Sequence, residues 1–245
     1  MKKTLIVLIC FTSFQVFSQK RAGEVQYNYT IFYDKIITEL PFLEQAEKDR
    51  RLLTWGNKEG YSSKMKLSFN EQESLYTHDD SEDVGYSRRK GDFLIHRNFD
   101  DKSILELMET LGKTYLIKEQ MPEQKWRIMN ELKEIQGHLC MKAIMYDDSK
   151  DYDVVAWFAA DIPVAAGPEV YYGLPGLILG LEIDNGIVLV EAEKLELLDE
   201  SQDITLPKKM KGREIDTSTY QKMVKDYIKT SIASRRYPAY WSMRY

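Results

Sequence analysis

The residues able to do chemistry are few. The chain has three histidines, His78, His96 and His138. None lies in a nucleophile elbow, a zinc-protease helix, a phosphate-binding loop or a dinucleotide-binding glycine pattern. His138 and Cys140 stand two residues apart, so on a strand their side chains share a face and could approach one soft metal. Two ligands are too few for a stable zinc or copper site, and Lys142, next on that face, would oppose a cation. A structural role follows for both, with no metal and no cofactor assigned. Cys140 reads as a buried small hydrophobe. Its alternative is a reactive thiol, which would make the protein a Cys140-dependent enzyme. Asp79, Asp80, Glu82 and Asp83 could attract calcium but lack the ordered spacing of a calcium loop, and they read as a solvated turn. No catalytic residue is assigned, and the expectation is a non-enzymatic protein.

Aromatic residues carry more information. The sequence has 16 Tyr and 4 Trp. Their plain role is sheet and core packing. Their alternative role is to line a concave apolar cavity, where hydroxyl and indole groups orient a ligand. On that reading the ligand-binding candidates are Tyr27, Tyr29, Trp126 and Trp157. The tail from Arg235 to Tyr245 is basic and aromatic, suited to packing on its own domain or to presenting anchors to a partner.

These residues are positioned by a β-rich body. From Glu24 the chain alternates, with Val25, Tyr27, Tyr29, Ile31 and Tyr33 on one side and polar residues on the other, which predicts a half-buried strand. Met65, Leu67 and Phe69 repeat the pattern. Further strands are predicted near 92–98, 114–119, 126–135, 138–146, 153–160, 176–184 and 187–197. The last two are joined by Asp184-Asn185-Gly186, a hairpin signal because Asn and Gly tolerate positive φ. Helices are predicted over 41–53, with Leu43, Ala46, Arg50 and Leu53 on one side, and over 218–234. In the second, Tyr220, Met223, Val224, Tyr227, Ile228 and Ser231 recur at helical spacing, and Ser218 and Gln221 have capping-box spacing. Residues 102–111 fit helix or strand. The fold expected is mainly β (α+β): a single curved antiparallel sheet or half-barrel with a few helices packed on it.

Composition bounds the function. Across 245 residues, Asp and Glu outnumber Lys and Arg 39 to 34, for a formal charge of −5. That balance gives no general field for nucleic acid, which requires clustered basic residues. Lys2 and Lys3, the apolar run Leu5–Phe11 and small Ser18 read as a secretory signal peptide, too short to span a bilayer. Cleavage after Ser18 leaves one β-rich domain, 19–245, with no transmembrane segment. It also removes Cys10, so Cys140 stands without a disulfide partner in the chain. The expected location is the periplasm or the outer-membrane surface.

Gly173-Leu174-Pro175-Gly176-Leu177-Ile178 has its own physical rationale. Pro175 suits the first central position of a turn, Gly176 the second with positive φ, and Leu177 and Ile178 then enter a buried strand. The segment resembles the defining motif of the GLPGLI family of exported Bacteroidetes proteins. Leu67-Ser68-Phe69-Asn70, Ser74-Leu75-Tyr76, Trp126, Ile135–Ala143, Ala156-Trp157, Ile162-Pro163-Val164 and Gly167-Pro168-Glu169 resemble the family too. The resemblance implies export and a β-rich fold; the family is largely of unknown function. Expectation therefore centres on an exported cell-envelope protein that binds an apolar small molecule or an envelope partner on a curved sheet. The rival is an accessory protein of an outer-membrane transporter of the TonB-dependent type, with Gly173–Ile178 and the tail as contacts.

Overall fold

The computed structural model describes residues 21–79, 92–199 and 203–236. The signal segment, Asp80, Glu82 and Asp83 of the acidic cluster, and the tail from Tyr237 onward lie outside the described residues.

Among those described, the strands in chain order are β1 (Ala22–Ile31), β2 (Tyr61–Phe69), β3 (Glu73–His78), β4 (Phe93–Asn98), β5 (Ser103–Thr110), β6 (Lys113–Gln120), β7 (Arg127–Ile135), β8 (His138–Asp147), β9 (Tyr152–Ala159), β10 (Leu177–Ile183), β11 (Val188–Leu198) and β12 (Arg213–Glu214). The helices are α1 (Tyr33–Glu39), α2 (Gln45–Trp55) and α3 (Thr217–Ala233). All the strands join one curved, open sheet in the order β12-β6-β5-β4-β3-β2-β1-β11-β10-β9-β8-β7. Every pairing is antiparallel except the short β12 alongside β6. Several neighbours are consecutive strands joined by short turns, as antiparallel pairing allows, but β1 pairs with β11, and α1 and α2 lie in the connection from β1 to β2.

Cross-strand register sets the inner face. Val25 pairs with Leu67, Leu67 with Tyr76, Tyr76 with Ile95, Ile95 with Glu106 and Glu106 with Ile117. A carboxylate thus sits between two isoleucines in an otherwise apolar and aromatic row. On the outer face Leu94, Leu107 and Leu116 form a second, smaller core, with Met210 packed against it. That outer core explains why 102–111 is ambiguous in sequence: both faces of β5 bury leucine, isoleucine or methionine, so simple alternation disappears.

The hairpin at Asp184-Asn185-Gly186 forms as predicted, with positive φ at all three residues. Three local expectations are corrected. Strand β1 stops at Ile31, and Tyr33 opens α1, whose Ile36 and Ile37 are buried. Lys35 of α1 donates to the Asn185 and Gly186 carbonyls, fastening this helix over the β10–β11 turn. The helix predicted over 41–53 begins later, at Gln45, and its Leu53 is 90% exposed rather than on a buried side. Helix α3 falls where predicted and buries Tyr220, Val224, Ile228 and Ser231, but its N-cap is Asp216, whose carboxylate accepts from the Thr219 N–H. An aspartate at that position satisfies amide groups that the first helical turn leaves open.

Candidate functional site

Helix α3 is pinned at its ends and stands off the sheet between them. At its start, Tyr220 and Thr110 share a hydroxyl hydrogen bond of 2.7 Å, the Thr217 N–H donates to Glu119, and Tyr220 packs edge-on against Tyr115. Just beyond its end, Arg235 donates to the Phe42 carbonyl. Beneath the helix lies a cavity of about 1060 Å³. Tyr29, Met65, Phe93, Ile95, Ile104, Met108 and Ile117 contribute from the sheet, and Val224, Ile228 and Ile232 from α3. The volume is at the upper end of what small-molecule sites occupy, and walls of this chemistry are typical of them.

One end of the cavity is polar. Glu106 and Glu169 are both in its wall, and each is 7% exposed. Tyr76 donates its hydroxyl to the Glu169 carboxylate at 2.9 Å. Arg97, fully buried, donates to the carbonyls of Gly167 and Glu169. It also lies against the Tyr172 ring, 5.4 Å from the centroid. Lys150 reaches the same region over the rings of Tyr152 and Tyr171, at 5.9 and 5.7 Å. Glu106 has no hydrogen bond or ion pair with any described residue.

Burial dominates the titration of these groups. It pushes the Glu169 carboxyl up to about 7, against the opposing pull of the Tyr76 hydrogen bond, Lys150 and Arg97, while Glu106 adds to the rise. Burial also raises Glu106, with Arg97 and Lys150 acting in the other direction. It lowers Arg97 to about 10, so the guanidinium remains charged at neutral pH. A low-dielectric setting disfavours each charged form, and neighbouring opposite charges return only part of that loss.

The loop carrying Glu169 is held on two sides. Gln124 donates to the Val170 carbonyl and accepts from the Tyr172 N–H, and the Trp126 indole donates to the Tyr172 carbonyl at 2.8 Å. Glu169 itself has φ of +53°, a left-handed conformation that a non-glycine residue adopts at a cost of about 1–3 kcal/mol. Arg97 and the 122–126 segment supply the contacts that keep it there.

The four aromatic candidates separate. Tyr29 lines the cavity. Tyr27 is fully buried and donates its hydroxyl to the Ile178 carbonyl at 2.6 Å, so its polar group is already satisfied within the core. Trp126 braces the Glu169 loop from outside the cavity wall, and Trp157 lies on β9 under Lys142, 5.8 Å from its ring centroid. His78 is in the cavity wall beside Phe93, whereas His96 pairs with Glu73 and His138 with Asp161. Arg97, Glu106 and Glu169 escape sequence reasoning. The available signals were a glutamate alternating with Ile104 and Met108, and Gly167-Pro168-Glu169 leading into the glycine motif.

Cys140 is fully buried and its thiol is pushed up to about 11, chiefly by burial. Among the described residues no group of three or more His, Cys, Asp or Glu could hold a metal ion. Of the acidic cluster, Asp79 is buried and accepts from Gln26 at 2.7 Å, so this member is not a solvated turn residue.

The glycine motif bends and enters β10, where Leu177 and Ile178 are fully buried. The glycine roles are exchanged relative to expectation. Gly173, not Gly176, has positive φ, at +86°. Gly176 is required for space instead: a Cβ there would lie 2.2 Å from the Ala159 carbonyl oxygen. The bend is fixed by backbone bonds to 162–166, with Gly173, Leu177 and Ile178 donating to Ala165, Ile162 and Ala166. Three N–H groups of the segment are thus taken by a neighbouring stretch of chain, not by a turn of its own.

Residues 145–180 match the family model described as a protein of unknown function (Porph_ging). The match is consistent with the GLPGLI resemblance. It contains Lys150, Glu169, Tyr172 and the glycine motif. No curated protein matches the chain in sequence. Two structures of PNGF-II, in space groups P21 and C2, are similar in fold, with TM-scores of 0.55 and 0.54 at 16% identity. Each likeness covers 83% of this chain, but only 33% and 32% of the PNGF-II chain. The chain therefore spans about a third of those proteins, and the likeness extends to fold alone.

Proposed function

We propose that this chain is a non-enzymatic exported binding protein that holds a small molecule with an apolar body between its sheet and α3. The observation that carries the reading is the cavity of about 1060 Å³, with apolar side walls and buried polar groups at one end. A core without a ligand has no use for such a space, since interiors otherwise pack to crystal-like density. Helix α3 secured near both ends, with its middle facing the void, is a roof that leaves room for an occupant. Location in the periplasm or at the outer membrane belongs to the same proposal and rests on the basic and apolar start of the chain. No helix among the described residues is long and apolar enough to cross a membrane. Burial of Cys140 weighs against thiol chemistry.

Native mass spectrometry of protein gently purified from its source tests the reading. A discrete added mass is expected, lost in a Val224→Trp variant that fills the space under α3. Unmodified mass in every preparation, together with failure to take up any apolar probe, would overturn it.

A second reading, an accessory protein of an outer-membrane transporter, is favoured by a different feature. Edge strand β7 and its neighbour β8 expose Leu132 and Leu139, at 59% and 61%. Exposed apolar residues on a sheet edge suit pairing with another chain. Crosslinking from position 132 in intact envelopes should capture an outer-membrane protein; recovery of none would dismiss this reading.

A further inference from the structure

We infer that the occupant of the cavity carries a cationic, hydrogen-bond-donating head, an amine of the primary or secondary class, which sits against Glu106. The inference rests on the binding reading above and specifies its ligand.

Glu106 is the reason. Its side chain enters the cavity wall from the middle of the inner face, between Ile95 and Ile117. It is 7% exposed and has no hydrogen bond or ion pair with any described residue. Arg97 and Lys150 act on it through space, but no donor reaches it. A buried carboxyl group without a hydrogen-bond donor is costly and calls for an explanation, which a donating ligand would supply. Glu169, beside the same end of the cavity, receives a single donor, the Tyr76 hydroxyl. Two carboxyl groups there offer several acceptor positions to an incoming donor.

The cations do not occupy that role. Arg97 acts on Glu106 through space but is not part of the cavity wall, and its two Nη groups donate to the Gly167 and Glu169 carbonyls, not to Glu106. Lys150 stands over Tyr152 and Tyr171. Among the described residues the lining as a whole carries nine carboxylates against four lysines and no arginine, so the potential inside favours positive charge. An anionic head, such as that of a fatty acid, would meet acceptors where it needs donors. An amine would donate to Glu106 and compensate its burial.

Three probes with the same chain and different heads decide the matter: dodecylammonium, 1-dodecanol and dodecanoate. Their affinities for the full-length mature protein would be measured at pH 7.5 by displacement of a fluorescent apolar probe. The expected order is dodecylammonium tightest, by about tenfold or more over dodecanol, because one charge-assisted hydrogen bond in a buried site contributes that much. Dodecanoate should be weakest. Glu106→Gln, with circular dichroism confirming its fold, should reduce the amine-to-alcohol ratio to near one. Dodecanol or dodecanoate binding as tightly as the amine would overturn the head-group inference while leaving the binding reading intact. Binding of none of the three would remove both. An amine preference unchanged in Glu106→Gln would show that the charge is recognised elsewhere and refute the assignment, and its loss in Glu169→Gln alone would place the head at that carboxyl instead.

Discussion

Replacing Glu169 by Gln should stabilise the protein in alkaline solution and change little in acid. The folded carboxyl titrates at about 7 against a reference value of 4.5. Between those values the folded state holds a proton that the unfolded chain has lost. Stability from this group is therefore fully present below about pH 4.5, falls as pH rises through about 7, and is level above it. Each unit of difference is about 1.4 kcal/mol, so the full loss is about 3 kcal/mol. Gln keeps an oxygen to accept from Tyr76 and never ionises. The gap between variant and wild type should thus widen by about 2–3 kcal/mol from pH 5 to pH 8.5. Urea unfolding at both pH values measures it directly, and a change of that size is a large part of a typical domain's 5–15 kcal/mol. A gap that stays constant, or wild type gaining on the variant as pH rises, would refute the claim that burial outweighs Tyr76, Lys150 and Arg97 at this carboxyl.

Gly176→Ala should lower stability by about 1–3 kcal/mol or more through its clash with the Ala159 carbonyl, and Leu177→Ala by about 2–5 kcal/mol. Gly173→Ala meets no atom within 4 Å and should lose only the left-handed strain, about 1–2 kcal/mol, so denaturant midpoints should rank it above Gly176→Ala. Cys140 should resist a disulfide reagent in the native protein at pH 8 and react on unfolding; stoichiometric reaction within seconds in the folded state would contradict its burial.

Much of the sheet was readable because period-two alternation is a local signal: β1, β2 and β9 bury alternate residues much as their sequences suggest. The hairpin at Asn185-Gly186 was readable for the same reason, since its backbone requirement is met by adjacent residues. Helix α1 was not, because seven residues hold too little periodicity and its Ile36 and Ile37 are kept helical by tertiary contact. The site itself was mostly hidden. Glu106 stands out only once Ile95 and Ile117 are known to flank it, and those neighbours come from other strands. Arg97 looks like one more solvated charge until residues 167–169, some seventy positions later, close over it. Tyr27 and Tyr29 share a face in sequence, yet one is sealed under β10 and the other opens on the cavity. The swap of roles between Gly173 and Gly176 likewise depends on residues 159–166, which no motif reveals.

A methyl-resolved NMR titration with dodecylammonium tests the cavity most directly. Shifts are predicted for Ile95, Ile104, Ile117, Val224 and Ile228, which line the space between sheet and helix. Ile36, Ile162 and Ile183, buried elsewhere in the core, should stay in place. Shifts confined to Ile128, Leu132 and Leu139, exposed near the sheet edge, would show that the ligand binds the outer surface and would contradict a binding site under α3.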